Sequence, residues 1–197
     1  MRHAILQAVE DAVRAVSFLK QPESLDFIES ATKVLAECFE SGHKLLIAGN
    51  GGSMCDALHF AEELTAQFRG PRRALPAIAL SEQGFLTAVG NDMGFERVFS
   101  RGVEALGQMG DVFIALTTSG NSINLIRAVQ MAKEKGLKTI SFLGKTGGPL
   151  KGQSDLEWIV PGFKYSDRIQ EAHMSAIHII IEQVEEVLFA PQKTVLV

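Results

Sequence analysis

The chain opens with apolar residues Ile5, Val9, Val13, Val16 and Leu19 at steps of three or four, the spacing of one helix face. Pro22 separates this stretch from a second. The pattern predicts a helix there from about Ser24 to Ser41, with Leu25, Ile28, Ala31, Val34, Leu35 and Phe39 on one face. Gly42 is a natural stop. From Lys44 the pattern changes. Short, mainly apolar runs appear at Leu45–Ala48, Leu75–Leu80, Val112–Leu116, Thr139–Leu143 and Leu156–Val160. Between them lie amphipathic segments at roughly 53–67, 94–107 and 122–135, and a last one runs from about Ser166 to Phe189. Strands with no polar face, separated by helices, belong to a parallel sheet covered on both sides. The predicted fold is α/β, a doubly wound three-layer sandwich with a five-stranded parallel sheet and an N-terminal helical arm. The arm takes 1–42, for packing or oligomerisation; the α/β domain takes 43–190, and 191–197 form a tail after Pro191. In such a sheet ligands bind beyond the carboxyl ends of the strands, so the strand-to-helix junctions are where chemistry is read.

Composition narrows the classes. In 197 residues, 46% are hydrophobic and 21% charged, ordinary for one globular domain. The formal charge of −4 argues against binding nucleic acid through its phosphates. Arg69, Arg72 and Arg73, around Gly70-Pro71, read as an exposed loop. The two cysteines, Cys38 and Cys55, show no zinc-ligand spacing and suit a reducing compartment. The N-terminus has no signal-peptide core, and no apolar run is long enough to cross a bilayer. A cytoplasmic protein is expected.

Two junctions carry candidate chemistry. The first strand ends in Gly49-Asn50-Gly51-Gly52-Ser53, where glycines admit a close ligand and Ser53 is placed to cap the next helix. The third strand ends in Thr117-Thr118-Ser119-Gly120-Asn121-Ser122. One hydroxyl would serve as a cap; four beside a helix N-terminus suit a phosphate. Gly144-Lys145-Thr146 also follows a strand, but a Walker A loop needs glycine at 139, which is Thr. The Gly90-Asn91-Asp92-Met93-Gly94 segment reads as a loop between the second and third strands. It suits sugar hydroxyls or an Asx cap for a helix starting near Phe95.

The helix after Ser53 carries His59 and Glu63, four residues apart and so on one face. Such a pair suits a divalent metal, acid–base work or a plain surface hydrogen bond. Glu62 points away from Glu63 and is expected in solvent. On the last helix, Gln170 and His178 differ by about 80° around the axis and about 12 Å along it. They converge on one ion only at full stretch, or from two subunits. His173 lies about 140° from His178, so the two face different surroundings. His178, within Ala176-Ile177-His178-Ile179-Ile180, is either a partnered core histidine or a ligand.

The pieces GNGGSMCDALHFAEEL, PAIAL, GNDMGFERVFSRGVEALGQMGDV, TTSGNS and DRIQEAHMSAIHI together resemble the phosphoheptose isomerase family, the sedoheptulose 7-phosphate isomerases of the sugar isomerase domain (SIS) fold, over about Ser41 to Leu188. The resemblance implies a cytoplasmic homotetramer with one zinc ion per subunit. It implies conversion of D-sedoheptulose 7-phosphate to D-glycero-D-manno-heptose 7-phosphate through an enediol, the first step toward the nucleotide-activated heptose of lipopolysaccharide core. Its zinc ligands would be His59, Glu63, Gln170 and His178, with Glu63 as base and His178 as acid. Its substrate contacts would be Asn50, Gly51, Gly52, Ser53, Glu63, Asn91, Asp92, Thr117, Thr118, Ser119, Ser122, Asp167 and Gln170. Two positions depart from the family: Thr117 replaces a frequent Ser and Gln67 a frequent Arg. Rival readings are a replication-initiator-associating paralogue that lacks the full His/Glu/Gln/His set, a sugar-phosphate-sensing regulatory domain, and an isomerase of another sugar phosphate.

Overall fold

The computed structural model describes residues 1–189, so the expected tail at 191–197 lies outside the described residues. Two helices come first, α1 (Arg2–Ser17) and α2 (Pro22–Glu40), joined through a 3-10 turn at Phe18–Lys20. Pro22 sits in the first turn of α2, where its missing N–H costs nothing. The α/β unit follows as β1 (Leu45–Gly49), α3 (Gly52–Thr65), β2 (Ala77–Ala79), α4 (Gln83–Met93), α5 (Val98–Leu106), β3 (Val112–Leu116), α6 (Ile123–Glu134), β4 (Lys138–Gly144), β5 (Leu156–Val160) and α7 (Ser166–Phe189).

All pairings are parallel, in the order β2-β1-β3-β4-β5. This is the expected doubly wound sandwich. The alternation of the strands feeds two cores. Leu45, Ile47, Val112, Ile114, Phe142 and Trp158 pack on the side of α2, α3 and α7. Leu46, Ala48, Phe113, Ala115 and Leu143 pack on the side of α5 and α6. Every residue of β1 and β3 is buried, which is why their sequences show no polar face.

Four expectations need correction. The predicted helix at 94–107 is two elements, and a further helix, α4, precedes it. Its start is marked by Glu82, whose carboxylate accepts the N–H groups of Gly84 and Phe85. Gly84 and Gly90 within it mask its helical pattern. Gly90, Asn91 and Asp92 therefore lie in its last turn rather than in a loop, and Gly94, at φ +91°, ends it. The second strand is shorter than the apolar run Leu75–Leu80 that signalled it. Finally, Ile5, Val9, Val13 and Val16 of α1 are 43–60% exposed, and Leu25 of α2 is 56% exposed. Helical spacing finds an apolar face, but none of the described residues covers that one.

A candidate active site between two loops and two helices

Strand order reverses between β1 and β3, whose carboxyl ends lie side by side with Gly49 in register with Leu116. The two loops singled out in the sequence therefore meet at the topological switch point, where open α/β sheets bind ligands. They are tied together by a reciprocal amide pair. Asn50 Nδ2 donates to Asn124 Oδ1 and Asn124 Nδ2 to Asn50 Oδ1, both at 3.0 Å.

In the hydroxyl-rich loop, Thr117 Oγ1 accepts the Gly120 N–H at 3.2 Å and Ser119 Oγ accepts the Asn121 N–H at 3.2 Å. Thr118 Oγ1 donates to Ser166 Oγ at 3.0 Å, which joins this loop to the start of α7. Ser122 directly precedes α6 and makes no side-chain cap bond. Gly120, at φ +67°, lies under the Gly144–Gly152 segment, and its carbonyl accepts the Leu150 N–H at 3.2 Å. That segment buttresses the hydroxyl loop from behind.

The glycine loop differs from expectation. Helix α3 begins at Gly52, with Gly51 as the cap residue and no side-chain cap bond. Ser53 is buried inside the first turn. Its Oγ lies 3.4 Å from Gln170 Nε2. A Cβ on Gly52 would stand 2.6 Å from the same amide nitrogen, so a side chain there would push the Gln170 amide off this loop.

Two to three turns along α3, His59 and Glu63 face His178 of α7. His59 Nε2 is 3.0 Å from His178 Nε2 and 3.4 Å from Glu63 Oε1, and one ligand atom from each of the three lies within 4.8 Å of the others. Glu62 is exposed as expected, yet its Oε2 lies 3.3 Å from His59 Nδ1. With the Nδ1 proton assigned to that carboxylate, His59 turns an Nε2 lone pair toward His178. Two ring nitrogens facing at 3.0 Å need a proton or a cation between them. Tetrahedral zinc bound by nitrogen at its usual length has ligand atoms about 3.3 Å apart, so these spacings and donor types fit a divalent metal. Phe68 stacks on the His178 ring at 5.8 Å. Burial, with the neighbouring His59, holds the His178 pKa below its ordinary value, while Glu63 opposes this. On the same face of α3, burial pushes the Asp56 carboxyl up to about 6, and its Oδ2 has no hydrogen-bond partner among the described residues.

Other expected site residues lie apart. Asn91 and Asp92 are exposed at the end of α4 and bonded to each other at 2.7 Å, with no hydrogen bond to either loop. Asp167 is exposed in the first turn of α7, with its Oδ2 3.5 Å from Arg168. Gln170 keeps to the glycine loop. The core histidine of α7 is His173, not His178. It is fully buried, and its Nε2 lies 2.9 Å from the Leu143 carbonyl. Sequence reasoning missed Asn124, Glu62, Phe68 and the burial of Arg72. Asn124 follows the hydroxyl run directly, and Glu62 lies three residues from His59, so both were within reach of helical spacing. Phe68 and Arg72 left no such signal, because tertiary packing places them.

Parallel strands with helices on both faces and two polar loops at the switch point define a doubly wound α/β ligand-binding domain. The family model described as SIS domain matches residues 9–144. The phosphoheptose isomerase of Fusobacterium nucleatum is 55% identical over 172 residues, covering 87% of this chain and 88% of that protein. That of Escherichia fergusonii is 49% identical over 177 residues, covering 90% and 92%. The solved phosphoheptose isomerase GmhA of Neisseria gonorrhoeae superimposes with a TM-score of 0.85 at 35% identity, covering 94% of this chain and 98% of that one. The chain belongs to the phosphoheptose isomerase family.

Proposed function

We propose that this enzyme converts D-sedoheptulose 7-phosphate to D-glycero-D-manno-heptose 7-phosphate, the entry step to nucleotide-activated heptose for lipopolysaccharide core. The observation that carries the reading is the convergence of His59, Glu63 and His178 within 4.8 Å, on the helix that leaves the glycine loop and the helix that faces it. The aldose–ketose exchange moves one proton between C1 and C2 through an enediol. The Glu63 carboxylate takes the C1 proton and returns it to C2, while His178 carries the hydroxyl proton from O1 to O2. Asn50, Gly51, Gly52, Ser53 and Gln170 bind the sugar; Asn91, Asp92 and Asp167, which lie apart from both loops within one chain, would reach it by movement on binding or from a second subunit. Thr117, Thr118, Ser119 and Ser122 hold the phosphate through hydroxyls and the N–H groups at the start of α6. Phosphate binding fixes the reacting carbons and supplies remote binding energy.

His59, Glu63 and His178 would hold one zinc ion per subunit, and Gln170, the fourth ligand the resemblance implies, would join them by swinging its amide away from Ser53 and Gly52. Bound there, the ion would polarise the substrate oxygens as a Lewis acid. A homotetramer agrees with the uncovered apolar face of α1 and with a groove of about 690 Å³ between α1 and α7, walled by Val13, Val16, Met174 and His178. Residues 1–42 are then the assembly arm and 43–190 the catalytic domain, in a cytoplasmic enzyme. Among the described residues no helix is long and apolar enough to cross a membrane.

The test is NMR of sedoheptulose 7-phosphate incubated with the protein. The aldose heptose 7-phosphate is expected, with loss of conversion after chelation and recovery on adding zinc. No conversion in either state of a folded protein would overturn the assignment and favour another sugar phosphate or a binding role.

A further inference from the structure

The basic stretch Arg69–Arg73, expected as an exposed loop, contains a side chain that is only 2% exposed, that of Arg72. Its Nη2 donates to the Glu63 carbonyl at 2.7 Å and its Nη1 to the Leu64 carbonyl at 2.9 Å. These carbonyls belong to the last turn of α3, where a cation also meets the negative end of the helix dipole. Its Nε donates to Glu185 Oε1 at 2.6 Å, and the Glu185 side chain is 13% exposed. Glu185 lies two turns beyond His178 and so on the same face of α7. One buried guanidinium thus fastens the helix that carries His59 and Glu63 to the helix that carries His178. The rigid fork of an arginine makes all these bonds at once; a lysine ammonium is a point charge and cannot span them. The exposed Arg69–Glu182 pair beside it makes no such bridge to α3 carbonyls.

The separation of His59 from His178 is a distance between helices, which neither helix fixes alone. At one end of their contact, Gln170 lies against Gly52. At the other end stands Arg72. We propose that Arg72 is a positioning residue, whose clasp from the α3 carbonyls to Glu185 sets the gap between His59, Glu63 and His178, and with it the affinity and ligand field of a divalent cation held there. The inference rests on the metal reading above.

The test uses the full chain carrying Arg72→Lys, Glu185→Gln or both, each shown folded by circular dichroism. Cobalt(II) is the probe, its dissociation constant read by chelator competition and its coordination by visible absorption bands. Each single variant should bind cobalt about tenfold more weakly, with shifted bands, the lower end of the loss that follows when a group orienting a metal ligand is removed. The double variant should bind no more weakly than the worse single one, because both cut the same clasp. Arg69→Ala should change the constant less than about twofold, as for an exposed pair. A folded Arg72→Lys with the parent's constant and bands overturns the proposal, as do additive losses. If Arg72→Lys does not fold, Glu185→Gln decides on the same terms. A parent chain that binds no cobalt would defeat the metal reading itself. Parent binding that is lost in His178→Ala but unchanged in Arg72→Lys would defeat this inference alone.

Discussion

His173 and His178 stand five residues apart on one helix and are different reagents. His173 turns toward the sheet, fully buried between the Phe142 and Trp158 rings, with its Nε2 on the Leu143 carbonyl. Burial pushes its pKa down to about 4, so it is a neutral ring that donates one proton to a carbonyl. His178, about 140° around the helix, turns toward α3 and meets His59 Nε2 at 3.0 Å beside Glu63. The first environment supplies an acceptor and no charge. The second gathers lone pairs and a carboxylate, the donor set of a metal or proton-transfer site. What faces a histidine decides its chemistry, and helix rotation decides what faces it.

The comparison can be broken most severely on the side of His178. Glu63→Gln should lower turnover by about 10³-fold or more, within the usual span for a lost general base, with the melting temperature retained. Near-normal turnover in the NMR assay would remove Glu63 from proton transfer. His178→Ala should lose both bound zinc and turnover, whereas His173→Ala should keep its zinc. Elemental analysis of the two purified variants checks the pair, and equal metal content would erase the distinction.

On the side of His173 the expected effect is stability. His173→Ala opens a cavity beside Trp158 and should cost about 2–4 kcal/mol in urea unfolding, the range for large core truncations. The smallest effect is a dependence on pH. The folded pKa of His173, about 4, lies below the ordinary 6.5, so between these values the unfolded chain holds a proton that the folded chain does not. Its share of stability is whole above about pH 6.5 and falls as the pH drops toward 4, by at most about 3 kcal/mol. His173→Phe should flatten that slope. An unchanged slope would assign the acid sensitivity to other groups.

Much of this was legible beforehand because it is local. β1 and β3 announced themselves as unbroken apolar runs, and α7 as an amphipathic segment whose ends match the structure. The two loops were legible because glycine and hydroxyl residues at a strand end have few other uses. Helix α4 was hidden because Gly84 and Gly90 blur its period, although Glu82 marks its start. The face of α1 was legible as apolar but not as uncovered, because periodicity says which side is greasy and not what lies against it.

The sequence by itself determined the layers, the parallel sheet, the position of the chemistry at the strand ends and the pairing of His59 with Glu63. Each follows from spacing within one element, where the backbone period fixes which side chains are neighbours. Tertiary structure alone decided that His178 and not His173 meets them, that Gln170 lies on Gly52, and that Arg72 is buried against Glu185. These are contacts between residues up to 119 positions apart in the chain. They depend on how two helices are rotated and clasped against each other, which the period of neither helix contains.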